Sequence, residues 1–173
     1  MTDRKKIREI IGYTHLKQRD DADLWYKKAV SFHEASIVLY RHQKRLGLRM
    51  FQFNAALSLE LIFKAILAAK RKTRPSIHFL RELCTKAEIE LDENQKHTLD
   101  LLTESILWLG RYPTPKSEAQ WDHFHDNIFE KHKIRLQSGN KHITLANRKR
   151  FPSMENYTKI WGICLVKYES VIS

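Results

Sequence analysis

Glu60 and Lys64 stand four residues apart inside the most apolar stretch of the chain, residues 51–70, FQFNAALSLELIFKAILAAK. At that spacing opposite charges face each other on one side of a helix. A charged couple inside a core is tolerated when each partner satisfies the other. If the helix runs on to Arg71, then Glu60, Lys64 and Arg71 fall within about 40° of one another at about 100° per residue. His78 follows just beyond the next loop, and Arg111 with Tyr112 comes after a later helix. These residues form the expected ligand- or phosphate-binding set. Lys64, Arg71 and Arg111 supply cations for phosphate, Glu60 orients a cation or a ribose, and Tyr112 stacks on a base. The alternative is architectural, with Glu60, Lys64 and Arg111 in a buried ion-pair network that fixes helix packing.

A second chemistry is metal-free RNA cleavage. A His deprotonates the ribose 2′-OH or protonates the leaving oxygen, while an Arg neutralises charge on the phosphate. Arg followed after four to six residues by His occurs at Arg8/His15, Arg71/His78 and Arg135/His142. Thirteen Arg and nine His make about two such pairs expected by chance, so three is no enrichment. The catalytic candidates are His78, His142 and Arg135, with His78 or His142 as base. Asp122, His125 and Asp126 share a helical face, but no second ligand cluster accompanies them, and neither a metal nor a cofactor is expected. The basic loop Arg148-Lys149-Arg150, beside Phe151, is a candidate nucleic-acid surface, with a solvated loop as the equal alternative. No phosphate-cradling glycine loop, nucleophile elbow or zinc spacing appears.

These residues need a scaffold, and the composition specifies a helical one. Five Gly and four Pro in 173 residues leave little room for the turns of an all-β fold. A formal charge of +11 favours polyanionic partners, RNA or a nucleotide above all. Cys84 and Cys164 show no C-x-x-C pairing and read as reduced and structural, and MTDRKKIREI is too charged for a signal peptide. The expected localisation is therefore cytoplasmic. Residues 51–69 are apolar on nearly every side, as in a core helix or a membrane span. The charges near the middle favour the core helix, and no membrane partner is expected.

Around this helix the pattern predicts a short amphipathic N-terminal helix within residues 1–19 and a bundle over residues 20–173. Asp20 or Asp21 caps a helix running to about Leu46, and Ser76 caps a short helix to Ala87. Asp92 starts a helix ending at Gly110, followed by the extended RYPTP. Ser117 starts a helix that fades near the Ser138-Gly139-Asn140 turn. Residues 141–152 form a loop with a short extended piece at Ile143-Thr144-Leu145, and Ser153 caps the last helix. The fold class is all-α, an up-and-down bundle of five to six helices.

In this order the pieces resemble the HEPN family, helical domains of prokaryotes and higher eukaryotes associated with RNA cleavage or nucleotide binding. Trp25, Ala29, Phe32, Ala35 and Leu39 look like the family's first long helix. NAALSLELIFKAIL, with Glu60 and Lys64, is similar to its second helix and Glu-x-x-x-Lys pattern. SIHFLREL, with His78, resembles the H-x-L segment, and GRYP resembles the later R-Y-P element. The resemblance covers roughly residues 22–172 and implies a bundle that is often a homodimer. It also implies an RNA- or nucleotide-binding protein of a defence or toxin–antitoxin system. The alternatives are a metal-independent endoribonuclease and a non-catalytic partner of a nucleotidyltransferase or other protein encoded nearby. None of the three Arg/His pairs sits where catalytic members carry theirs, near the start of the last long helix. Arg135/His142 comes nearest but crosses the Gly139-Asn140 turn.

Overall fold

A computed structural model describes residues 3–42, 47–72, 75–138 and 141–173, with the backbone alone at 138, 141 and 142. The expected all-α bundle is present, with one small hairpin added to it. Helices α1 (Asp3–Ile10) and α2 (His15–Asp20) bury no residue. Thr14 caps α2, an element absent from the sequence reading. Asp21 caps α3 (Ala22–Arg41) by accepting from Asp23 N and Leu24 N. The expected continuation of α3 to Leu46 lies outside the described residues.

The centre is α4 (Leu48–Ala69), which packs along α3 and against every helix that follows in the core. Its length and hydropathy suit a membrane span, yet 67% of its most apolar window is buried inside the protein. Phe51, Leu59, Ile62, Phe63 and Ile66 are fully buried and meet Leu80, Leu83, Leu99, Leu102, Tyr157 and Ile160 from three other helices.

Helix α4 stops sooner than the sequence suggests. Arg71 adopts φ 54°, Lys72 N donates to Leu67 O at 2.8 Å, and Arg71 N donates to Ala68 O at 2.9 Å. This is a left-handed helix stop built without glycine. Helix α5 (Leu80–Lys86) starts three residues later than a Ser76 cap implies. Its first amide, Leu80 N, donates to Thr103 Oγ1 of the next helix at 3.1 Å. A tertiary acceptor thus replaces the local cap, and residues 76–79 stay non-helical.

Asp92 and Gln95 close a reciprocal capping box on α6 (Glu93–Glu104), which widens into a π-helical turn over Ser105–Leu109. Gly110 follows because nothing larger fits. A Cβ there would lie 2.6 Å from the Phe53 ring of α4 and 2.7 Å from its Cβ.

Ser117 caps α7 (Glu118–Asp122), which unwinds through a π-helical stretch, His123–Phe129, and a 3-10 turn, Glu130–His132. The expected helix to Ser138 is thereby corrected, since residues 133–138 are a strand. β1 (Lys133–Ser138) pairs antiparallel with β2 (Lys141–Ala146), setting Ile134 opposite Leu145 and Leu136 opposite Ile143. Apolar residues alternate with period two on both sides, the pattern of strands rather than of a helix. The loop expected from residue 141 is corrected over Lys141–Ala146, where β2 extends the short piece expected at 143–145, and the Gly139-Asn140 turn lies outside the described residues. Ser153 caps α8 (Met154–Ile172), which closes the core through Tyr157, Ile160 and Cys164.

Candidate functional site

The Glu60 carboxylate divides its oxygens between two elements. Oε1 accepts from Lys64 Nζ at 2.7 Å, one turn along α4. Oε2 lies 3.0 Å from Nδ1 of His78, in the non-helical segment before α5. Glu60 and Lys64 are 5% and 7% exposed, whereas the His78 side chain is 53% exposed. A carboxylate only accepts, so Nδ1 must carry the proton in this contact. Neutral His78 is thereby fixed as the tautomer whose Nε2 keeps its lone pair.

The couple separates two clefts. On one side, Lys64 lines a space of about 580 Å³ with Trp25, His15, Arg19 and Ser76. Its ammonium lies 5.9 Å from the centre of the Trp25 ring, within cation–π range. Trp25 is held in turn by Nε1 donating to Arg19 O at 2.8 Å, across the α2–α3 junction. On the other side, His78 lines a cleft of about 720 Å³ with Trp108, Arg111, Tyr112 and Lys116.

Arg111 has two tasks in that cleft. Its Nη2 donates to Ile106 O at 2.7 Å and Leu107 O at 3.2 Å, satisfying carbonyls at the end of the π-helical turn. Its guanidinium also lies 5.5 Å from the centre of the half-exposed Tyr112 ring. The close approach of Gly110 to Phe53 sets this whole segment against α4.

The structure therefore joins Glu60, Lys64 and His78 directly, and His78, Arg111 and Tyr112 through one cleft. Arg71 does not join them. It is exposed in the left-handed stop beyond α4 and lines neither cleft, so the premise that α4 carries it onto the Glu60 face is corrected. Arg135 and His142 lie on the hairpin, where the register sets Arg135 opposite Thr144 and His142 opposite Gln137. Arg135 forms an ion pair with Glu130 at 3.0 Å. The basic loop is divided. Arg150 is tied down by Nε donating to Asn94 Oδ1 at 3.0 Å and Nη1 donating to Lys131 O at 2.7 Å, whereas Arg148 and Lys149 are exposed.

Among the described residues no group of three His, Cys, Asp or Glu side chains is placed to hold a metal. Asp122, His125 and Asp126 lose their common helical face where α7 widens, and His125 packs on Trp121 with ring centroids 4.5 Å apart. Both cysteines are buried free thiols. Burial pushes Cys84 up to about 11 and Cys164 well above the ordinary thiol range, which leaves both protonated.

Trp108 and Lys116 are cleft residues that the sequence pattern did not mark, and Trp25 was marked only as part of the first long helix. Trp108 had a local signal, Glu104 at i−4, whose Oε2 accepts from Trp108 Nε1 at 2.7 Å.

A family model described as HEPN domain matches residues 22–131. The chain belongs to the HEPN family. The matched span runs from α3 into the 3-10 turn and includes Glu60, Lys64, His78 and Arg111. It ends before the hairpin and α8, so Arg135 and His142 lie outside it. Neither the curated proteins nor the solved structures compared with the chain gave a match. At the level of the family, HEPN membership supports a nucleotide- or RNA-related function.

Proposed function

We propose that this HEPN protein binds RNA or a nucleotide through the two clefts that flank Glu60. The carrying observation is the divided carboxylate, which holds the Lys64 ammonium toward one cleft and the His78 imidazole toward the other. Arg111 and Lys116 add positive charge beside His78, and Tyr112 offers an exposed ring for a base. The net charge of +11 supplies long-range attraction for a polyanion. The protein acts in a cytoplasmic defence or toxin–antitoxin system, as a homodimer and with a partner protein encoded nearby.

The test is fluorescence anisotropy of a labelled single-stranded RNA across about 50–200 mM salt. Affinity should fall steeply with salt, and Tyr112→Ala with Lys116→Ala should weaken it several-fold while leaving the melting temperature near wild type. Absence of binding at low salt refutes the proposal.

A second reading, metal-independent RNA cleavage, is favoured by the Glu60–His78 contact. With Nδ1–H held by the carboxylate, Nε2 is the atom available to take a proton from a 2′-OH. Arg111 stands in the same cleft for the phosphate. Cleavage in the presence of a chelator, abolished in His78→Ala and retained in His142→Ala, supports this assignment. Undiminished cleavage in His78→Ala rules it out.

A further inference from the structure

A third cleft, of about 760 Å³, opens between α5, α6 and the π-helical stretch after α7. The Trp108–Glu104 pair separates it from the His78–Arg111 cleft. Trp108 lines the His78 side, and its Nε1 donates to Glu104, which lines the other. The consecutive residues His78 and Phe79 likewise line one cleft each.

The polar groups in this third cleft are mostly committed. Arg81 holds Asp100 through two hydrogen bonds of 2.9 and 2.6 Å, and Lys86 pairs with Glu82 at 3.3 Å. Adding Lys131 and Glu104, the lining cations and anions cancel, so the cleft does not suit a bare anion. What stays open is acceptor capacity. Glu104 is 6% exposed, Oε2 is taken by Trp108, and Oε1 accepts from no donor among the described residues. His97 Nδ1 is buried without a hydrogen-bond partner but faces Asp100 Oδ2 at 3.5 Å, so the acceptor left open is Glu104 Oε1. Phe79, 53% exposed, presents an aromatic ring.

We propose that this cleft holds a nucleobase bearing an exocyclic amino group, which donates to Glu104 Oε1 while Phe79 covers one face of the ring. A carboxylate oxygen is the acceptor that distinguishes an amino group from a keto group at the same ring position. Aromatic side chains hold bases by stacking, whatever their edge pattern. A nucleotide seated here places its phosphate in the neighbouring cleft. That last link rests on the RNA reading of the His78–Arg111 cleft, whereas recognition of the base does not.

The experiment is calorimetric titration of the full chain with cytidine and uridine, nucleosides that carry no phosphate. Cytidine should bind about ten-fold more tightly than uridine. In Glu104→Gln the side-chain oxygen still accepts from Trp108, while the amide N–H₂ replaces the free acceptor. The preference should therefore turn toward uridine, with the melting temperature preserved. Equal affinities for the two nucleosides, or a cytidine preference that survives Glu104→Gln, overturns the proposal. Should Glu104→Gln lower the melting temperature, Phe79→Ala serves instead. It should weaken both nucleosides about ten-fold, and unchanged affinity again overturns the proposal. Labelled RNA separates the two readings. RNA binding without a nucleoside preference refutes this site alone, and a nucleoside preference without RNA binding refutes the phosphate reading alone.

Discussion

His78 Nδ1 stands 3.0 Å from Glu60 Oε2 and joins a half-exposed imidazole to a carboxylate buried in the central helix. The contact exists because residues 76–79 do not enter α5, so His78 crosses the face of α4. The buried network expected to hold Glu60, Lys64 and Arg111 is corrected, since Arg111 is exposed and bonds to Ile106 O and Leu107 O while His78 takes the second carboxylate oxygen. The Glu60–Lys64 pair is buried like a packing element, yet Lys64 lines one cleft and His78, held by Glu60, lines the other.

Glu60→Ala should be strongly destabilising. It leaves the Lys64 ammonium 7% exposed and without its carboxylate, a loss of about 3–5 kcal/mol when one member of a buried pair is removed. The double variant Glu60→Gln/Lys64→Met should recover much of that stability and still lose ligand affinity. Urea unfolding of both variants checks the first point and RNA anisotropy the second. A Glu60→Ala midpoint equal to wild type contradicts the buried-pair account.

Gly110→Ala should cost about 1–3 kcal/mol, the range for overpacking a filled site. The new methyl meets Phe53 at 2.6–2.8 Å, and one of the atoms it meets is Cβ, which cannot swing away without moving α4. The same shift displaces Arg111 and Tyr112, so RNA affinity should drop together with the melting temperature.

Stability should fall on acidification below about pH 6.5, the ordinary histidine value. Burial lowers the pKa of His33, His97 and His132. For His132 the two backbone contacts oppose the shift but do not cancel it. The folded chain thus binds fewer protons than the unfolded chain in this window. The stability that these groups contribute is complete above the unfolded value and is lost as pH falls through the lowered folded values. His132 sharpens the conflict, since its ring nitrogens lie 2.7 Å from Ile128 O and 2.8 Å from His97 O, and a neutral ring can donate to only one of them. Urea midpoints measured at about pH 7.5 and 5.5 should decrease, and a midpoint that rises on acidification contradicts the assignment.

Much of the bundle was legible in the sequence because its signals are local. Asp21, Asp92, Ser117 and Ser153 each cap the helix that their position announces. The i,i+4 spacing of Glu60 and Lys64 was enough to expect their pairing. The Glu60–His78 contact was not legible, since it depends on Thr103 accepting from Leu80 N across 23 residues of sequence. Arg71 misled because the left-handed stop after Ala69 carries no glycine to announce it. The hairpin was hidden by treating Ile134 and Leu136 as the tail of a helix, although their alternation continues in Ile143 and Leu145.

The basic loop should divide into a structural and a binding residue. Arg150 bridges Asn94 of α6 and the carbonyl of Lys131, so Arg150→Ala removes two charge-assisted hydrogen bonds and should cost about 1.5–3 kcal/mol. Its effect on RNA affinity should be no larger than the lost stability explains. Lys149 is exposed, and its backbone amide donates to Asn147 Oδ1 at 3.1 Å, its one hydrogen bond to a side chain among the described residues. Lys149→Ala should leave the urea midpoint unchanged and, if the loop touches RNA, reduce the salt slope of binding by about one unit. An unchanged slope assigns the loop to solvent and confines RNA contact to the clefts around Glu60.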